Sequence, residues 1–148
     1  MRILVVNGPN MNWLGKRDPH HYGTLTLAEL EARIEERARA LGVEVAFFQS
    51  NHEGAIIDFL QQEAPRSDGL ILNPAGLTPY GLSLRDTLSD IRLPAVEVHL
   101  SNIHAREEWR RHSVFSEVVR AVIAGFGWRG YLYALDFLVA VLKEEKGG

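Results

Sequence analysis

Five short apolar runs, separated by stretches in which apolar residues recur every three or four positions, set the expected architecture of this 148-residue chain. Ile3–Val6 is closed by Asn-Gly-Pro and reads as a buried strand followed by a break. Val43–Phe48, Gly69–Leu72, Ala95–His99 and Ala121–Ala124 read as four further strands. Thr26–Glu29 fits a capping box, and Leu27, Leu30, Ile34 and Leu41 follow at helical spacing, predicting a helix over about 27–41 that ends at Gly42. Ser50–Glu53 fits a second box, opening a helix with Ile56, Ile57 and Leu60 on its inner face. A helix over about 81–90 follows, and Tyr131, Leu135, Leu138, Val139 and Leu142 mark the last one. The tail Lys143–Gly148 is expected to fray.

Strands alternating with helical patterns predict βαβ units and a parallel sheet. With right-handed crossovers, the expected fold is α/β: a flavodoxin-like doubly wound sheet of five parallel strands flanked by helices, one domain over residues 1–148. Residues 8–25 carry Gly, Pro, Asn and His without a sustained period, and so long a loop in a compact domain is usually functional, here a lid. Pro19 and Gly23 are expected to keep it from becoming helical.

Composition narrows the function. Apolar content of 46% with 24% charged residues is that of a soluble globular protein. A net charge of −3 leaves no basic excess for nucleic acid, and no run reaches the roughly 20 apolar residues that span a bilayer. The apolar start is too short for a signal peptide, and without cysteine there is no disulfide framework, so the cytoplasm is the expected compartment.

The polar clusters that follow the strands fall on one rim of such a sheet, where these folds bind ligands. Gly125-Phe-Gly127-Trp-Arg-Gly130 matches a dinucleotide fingerprint, but the chain ends before the second strand and its acidic residue could follow; a tight turn and close helix–sheet packing explain the glycines. The six histidines lack metal-ligand spacing, Ser101 lacks a nucleophile elbow, and the three lysines offer almost no candidate for a Schiff base. Acid–base chemistry without a cofactor remains. His99 ends a strand, the amides of residues 100–102 open toward the same place as an anion site, and Arg106 and Arg110 are expected to share a helix face. Their bland reading is pairing with Glu107 or Glu108 in water. Arg17 and Tyr22 lie in the lid; a loop tyrosine is usually packing, yet a guanidinium beside it favours its ionised, basic form.

These residues together resemble the type II 3-dehydroquinate dehydratases over roughly residues 2–140. The likeness rests on Asn7–Pro19 with Tyr22-Gly23, on Gln49–Gly54, on Leu84-Arg-Asp86 and on Glu97–Arg110. The resemblance implies a lyase of the shikimate pathway and aromatic amino acid biosynthesis, or of quinate use. It would dehydrate 3-dehydroquinate to 3-dehydroshikimate through an enolate, with no cofactor and no metal. It implies a cytoplasmic homododecamer, a tetramer of trimers.

By position, Tyr22 is the implied base, Arg17 its activator, His99 the acid, and Asn10 the holder of a water that stabilises the enolate. Glu97 is the implied orienter of His99 or the lid. Leu100 and Ser101 amides form the implied carboxylate cradle, Asn73 and Arg110 bind the other polar groups, and Asp86 reaches a neighbouring subunit's site. Arg106 supports the lid. One stretch departs: the family's substrate-binding histidine is Pro79 here, and Tyr80 is a candidate replacement hydroxyl. Two other classes stay open, a catalytically weakened homologue that serves as an oligomeric small-molecule-binding protein and a flavodoxin-like nucleotide or flavin binder.

Overall fold

A computed structural model describes residues 1–147. Five parallel strands, β1 (Arg2–Asn7), β2 (Glu44–Gln49), β3 (Gly69–Asn73), β4 (Ala95–His99) and β5 (Ala121–Ala124), lie in the order β2-β1-β3-β4-β5. This is the doubly wound order expected, with the winding reversing between β1 and β3. Alternate side chains of β1 serve opposite cores. Ile3 and Val5 pack with Leu30, Ile34, Leu135 and Leu138, beneath α2 (Leu27–Leu41) and α5 (Arg129–Gly147). Leu4 and Val6 pack with Ile56, Leu60, Leu84 and Leu88, beneath α3 (Glu53–Glu63) and α4 (Leu82–Ile91). Burial on both faces is why β1, β3 and β4 read as nearly continuous apolar runs.

At the reversal point the loops after β1 and β3 meet closely. Gly8 donates its N–H to Asn73 O at 2.8 Å, and a Cβ at Gly8 would lie 2.6 Å from Pro74 O. No side chain fits there, so the glycine is what lets the β1 loop turn across the end of β3. Thr26 caps α2 by accepting from Glu29 N, and Gly42, at φ +71°, ends it with its N–H on Ala38 and Arg39 carbonyls. No helix among the described residues is long and apolar enough to cross a membrane.

Several expectations need correction. The Ser50–Glu53 capping box does not form: α3 starts after His52 with no side-chain cap, because the Glu53 carboxylate instead accepts the Leu84 N–H in the first turn of α4, at 3.0 Å. The 8–25 segment is not devoid of helix. Pro19–Tyr22 forms one turn, α1, with Asp18 capping His20 N and Pro19 at the start, where a missing N–H costs nothing. Arg106 and Arg110 do not share a helix: two 3₁₀ turns, Ile103–Ala105 and Glu108–Arg110, flank an extended Arg106. The tail continues α5 to Gly147, tied by Arg120–Glu145 at 2.7 Å and Lys146–Asp68 at 3.4 Å. Gly148 lies outside the described residues.

Candidate active site

The C-terminal ends of β1, β3 and β4 open into a cavity of ≈ 300 Å³. Asn10, Arg17, Tyr22, Asn73, His99, Leu100, Ser101 and Arg110 all line it, so eight of the ten expected site residues share one space. Glu97 stands behind it and Asp86 apart from it.

His99 and Glu97 point to the same side of β4, two residues apart. Glu97 is fully buried, and its Oε2 accepts from His99 Nε2 at 2.5 Å while Oε1 accepts from Ser116 Oγ at 3.0 Å. Burial alone would raise this carboxyl; the bond and charge of His99, with Ser113 and Ser116, outweigh it and hold Glu97 below the ordinary carboxylate value. An ionised Glu97 only accepts, so Nε2 carries a proton and Nδ1 is the ring nitrogen left to serve a ligand.

On the same cavity, two guanidinium groups lie against the Tyr22 ring. Arg17 Cζ lies 3.7 Å and Arg106 Cζ 5.2 Å from its ring centroid. Both contacts are cation–π contacts with the ring. Arg106 is held from below, its Nη1 donating to Ser101 Oγ at 3.1 Å, and its side chain is over nine-tenths buried. Its Nε finds no hydrogen-bond acceptor, and Glu107 Oε1 is 3.9 Å away. Arg110 follows the bland reading in part: its Nε donates to Glu107 Oε2 at 2.9 Å, which holds Glu107 below the usual carboxylate range. Arg110 nevertheless keeps four other N–H donors on the cavity wall.

Asn10 adopts the left-handed conformation at φ +71°, its N–H held by Asn51 Oδ1 at 2.9 Å. Asn73 is locked by a buried chain of hydrogen bonds. Its Nδ2 donates to Tyr131 Oη at 2.9 Å, Tyr131 donates to Asn7 Oδ1 at 2.5 Å, and Ala75 N donates to Asn73 Oδ1 at 3.0 Å. Complete burial pushes the Tyr131 phenol well above its ordinary value, so it serves as a neutral strut. Asp86, on α4, has a carboxylate 3.3 Å from Arg85, and its side chain is 73% exposed; within one chain it reaches no part of the cavity.

Sequence reasoning missed Tyr131, Asn7 and Ser116. Asn7 and Asn73 are register partners at the ends of neighbouring strands, a pairing that the predicted topology implied. The Tyr131 hydroxyl was hidden in an apolar helical pattern. Thr78, Pro79, Tyr80 and Trp109 complete the rim, with Tyr80 67% exposed. The three glycines of Gly125–Gly130 have conformational causes: φ of +92° and +60° at the first two, and an Ile123 methyl 3.1 Å from any Cβ at the third.

Residues 1–139 match the family model for dehydroquinase class II. The chain is 52% identical to a 3-dehydroquinate dehydratase of Roseiflexus castenholzii, over 99% of this chain and 94% of that one. It is 47% identical to a catabolic 3-dehydroquinase 1 of Aspergillus fumigatus, covering 97% and 95%. Among solved structures, the type II dehydroquinase of Butyrivibrio crossotus superposes with a TM-score of 0.91 at 42% identity, covering 93% of this chain and 97% of that one.

Proposed function

The chain belongs to the dehydroquinase class II family and is a hydro-lyase of that type, and from that premise we propose that its cavity dehydrates 3-dehydroquinate with Tyr22 as base and His99 as acid. The observation that carries this reading is that one cavity of ≈ 300 Å³ is lined by both a phenol in contact with Arg17 and Arg106 and an imidazole backed by buried Glu97.

The Tyr22 phenolate removes the proton next to the substrate ketone, and the C–H electron pair moves into an enolate. Asn10, through a bound water, and Arg17 stabilise the charge that develops. The enolate then collapses, the carbon–oxygen bond breaks, and His99 delivers a proton to the leaving hydroxyl, so the products are an enone and water. Glu97 holds the ring at Nε2, so that Nδ1 is the nitrogen that makes the transfer. Proton exchange with solvent restores both groups. The substrate carboxylate sits on the amides of Leu100 and Ser101; the Ser101 N–H has no acceptor among the described residues, which supports a cradle there. Arg110 and Asn73 take the remaining polar groups.

Further parts of the proposal are residues 1–148 as one domain, residues 8–25 as its lid, and a cytoplasmic enzyme without cofactor. The assembly is a dodecamer of four trimers, in which Asp86 completes a neighbour's site. The exposure of Asp86 outside its own cavity supports the last point. Mixing purified protein with 3-dehydroquinate should give the rising ultraviolet absorbance of a conjugated enone; a flat trace with pure, folded protein would overturn the activity.

A further inference from the structure

Behind the lid lies a second cavity, of ≈ 620 Å³, which the reaction above does not use. It is separated from the catalytic cavity by a common wall, Tyr22, Leu100, Ser101 and Arg106, which lines both. Its far side is built by α2, through Leu30 and Arg33, and by the Gly125–Trp128 turn that leads into α5. The glycine-rich motif that the sequence offers for a nucleotide therefore borders an open space.

The chemistry of that space is one-sided. Arg33, Arg106, His20 and His21 line it, and none of its lining residues is Asp or Glu. Arg33 enters no ion pair among the described residues; its guanidinium lies 4.2 Å from the Trp128 ring centroid. Arg106, buried, has an Nε without a hydrogen-bond acceptor. Two guanidinium groups thus line a cavity without a carboxylate, which favours an anion. Leu14, Leu25, Leu30 and the Trp128 ring give the wall an apolar part, beside the polar Thr24, Ser101 and Asn102. Inorganic phosphate would satisfy the charge and leave that surface unfilled. A flat apolar body with one carboxylate satisfies both, and the volume lies within the range of small-molecule sites.

We propose that this cavity is a second ligand site for a small aryl carboxylate, and that its occupation slows turnover by drawing Arg106 away from Tyr22. The ligand's carboxylate bridges Arg33 and Arg106, and its ring packs against Leu30 and Trp128. Because Tyr22 and Arg106 belong to both walls, the ligand acts without entering the space that the substrate fills.

The test uses benzoate as probe, with inorganic phosphate and benzyl alcohol as charge-only and apolar-only controls. Calorimetric titration of the intact protein should show saturable benzoate binding, and each control should bind at least about tenfold more weakly. Arg33→Gln, which keeps most of the stem, should weaken benzoate about tenfold, as expected when a charge-assisted contact is removed; Arg33→Lys should restore part of it. Without benzoate, kcat and KM of Arg33→Gln should equal those of the wild type. At saturating substrate, benzoate should lower kcat in the wild type and do so far less in Arg33→Gln. Benzoate binding unchanged by Arg33→Gln, or inhibition that saturating substrate fully removes, would overturn the proposal, because the probe would then occupy the catalytic cavity. Phosphate binding as tightly as benzoate would overturn the ligand class. Calorimetry reads the site independently of turnover, so a failure of the proposed reaction would leave this result interpretable.

Discussion

The carboxylate of Glu97, with no exposure to solvent, hydrogen-bonds His99 Nε2 at 2.5 Å from two residues back along the same strand. Strand geometry makes the pairing rigid, since i and i+2 side chains share a face and β4 lies between β3 and β5. The acid of the proposed reaction is therefore positioned by the sheet rather than by a loop.

Glu97→Gln keeps the shape and removes the charge. We expect kcat to fall at least about tenfold but by less than the roughly 10²–10⁴-fold that a general acid supplies, with a smaller change in KM. Stability should respond to pH as well. The folded-state pKa of Glu97 is depressed, so its contribution is present above the ordinary carboxylate value of about 4.3 and is lost as pH falls below it. Melting temperature measured from pH 7 down to pH 3 should drop less steeply in Glu97→Gln than in the wild type. Parallel slopes would show that Glu97 is not held below its ordinary value.

Tyr131→Phe should uncouple the site from the fold. The variant leaves Asn73 Nδ2 and Asn7 Oδ1 without their shared partner in a buried place. That costs about 1–3 kcal/mol, readable in chemical denaturation. Asn73 is then free to turn, so KM for 3-dehydroquinate should rise. Unchanged stability and unchanged KM would mean that a water replaces the hydroxyl fully.

At the rim, Pro79 has no side-chain donor, whereas exposed Tyr80 has one. If Tyr80 supplies the contact to a substrate hydroxyl, Tyr80→Phe should weaken binding a few-fold to tenfold, the worth of about 0.5–1.5 kcal/mol. Pro79→His should then improve kcat/KM little. A larger gain from Pro79→His with no effect of Tyr80→Phe would assign the position to residue 79 instead.

Asp86 predicts a dependence on assembly. Its side chain is solvated and does not line its own cavity, so Asp86→Ala should leave the subunit folded and lower activity. Active protein should sediment as a trimer or larger. A fully active monomer would show that each chain completes its own site.

Much of the fold was legible because burial on both faces of β1, β3 and β4 leaves those strands few polar positions. Ala95–His99 and Ala121–Ala124 match residue for residue, one bounded by Pro94 and the other by Gly125. Local signals failed where a distant group competed. Glu53 carries the right spacing for a capping box, but the Leu84 N–H, 31 residues on, takes its carboxylate. Arg106 and Arg110 have helical spacing in a segment that turns twice instead, yet both reach the cavity by another path. Asn73 and His99 were legible as cavity residues because each is a polar group that ends an apolar strand. Tyr131 was not, since only its ring shows in a periodic pattern, and the second cavity joins α2 to loops distant in sequence, which no local spacing encodes.

The central claim is a division of labour: Tyr22 takes the proton and His99 acts afterwards. Deuterium exchange at the carbon next to the ketone, followed by NMR of 3-dehydroquinate in D₂O with each variant, tests it directly. His99→Ala should dehydrate very slowly yet still exchange that proton through Tyr22, and Tyr22→Phe should neither exchange nor dehydrate. Exchange catalysed by Tyr22→Phe at the rate of His99→Ala would contradict the account and move the base elsewhere.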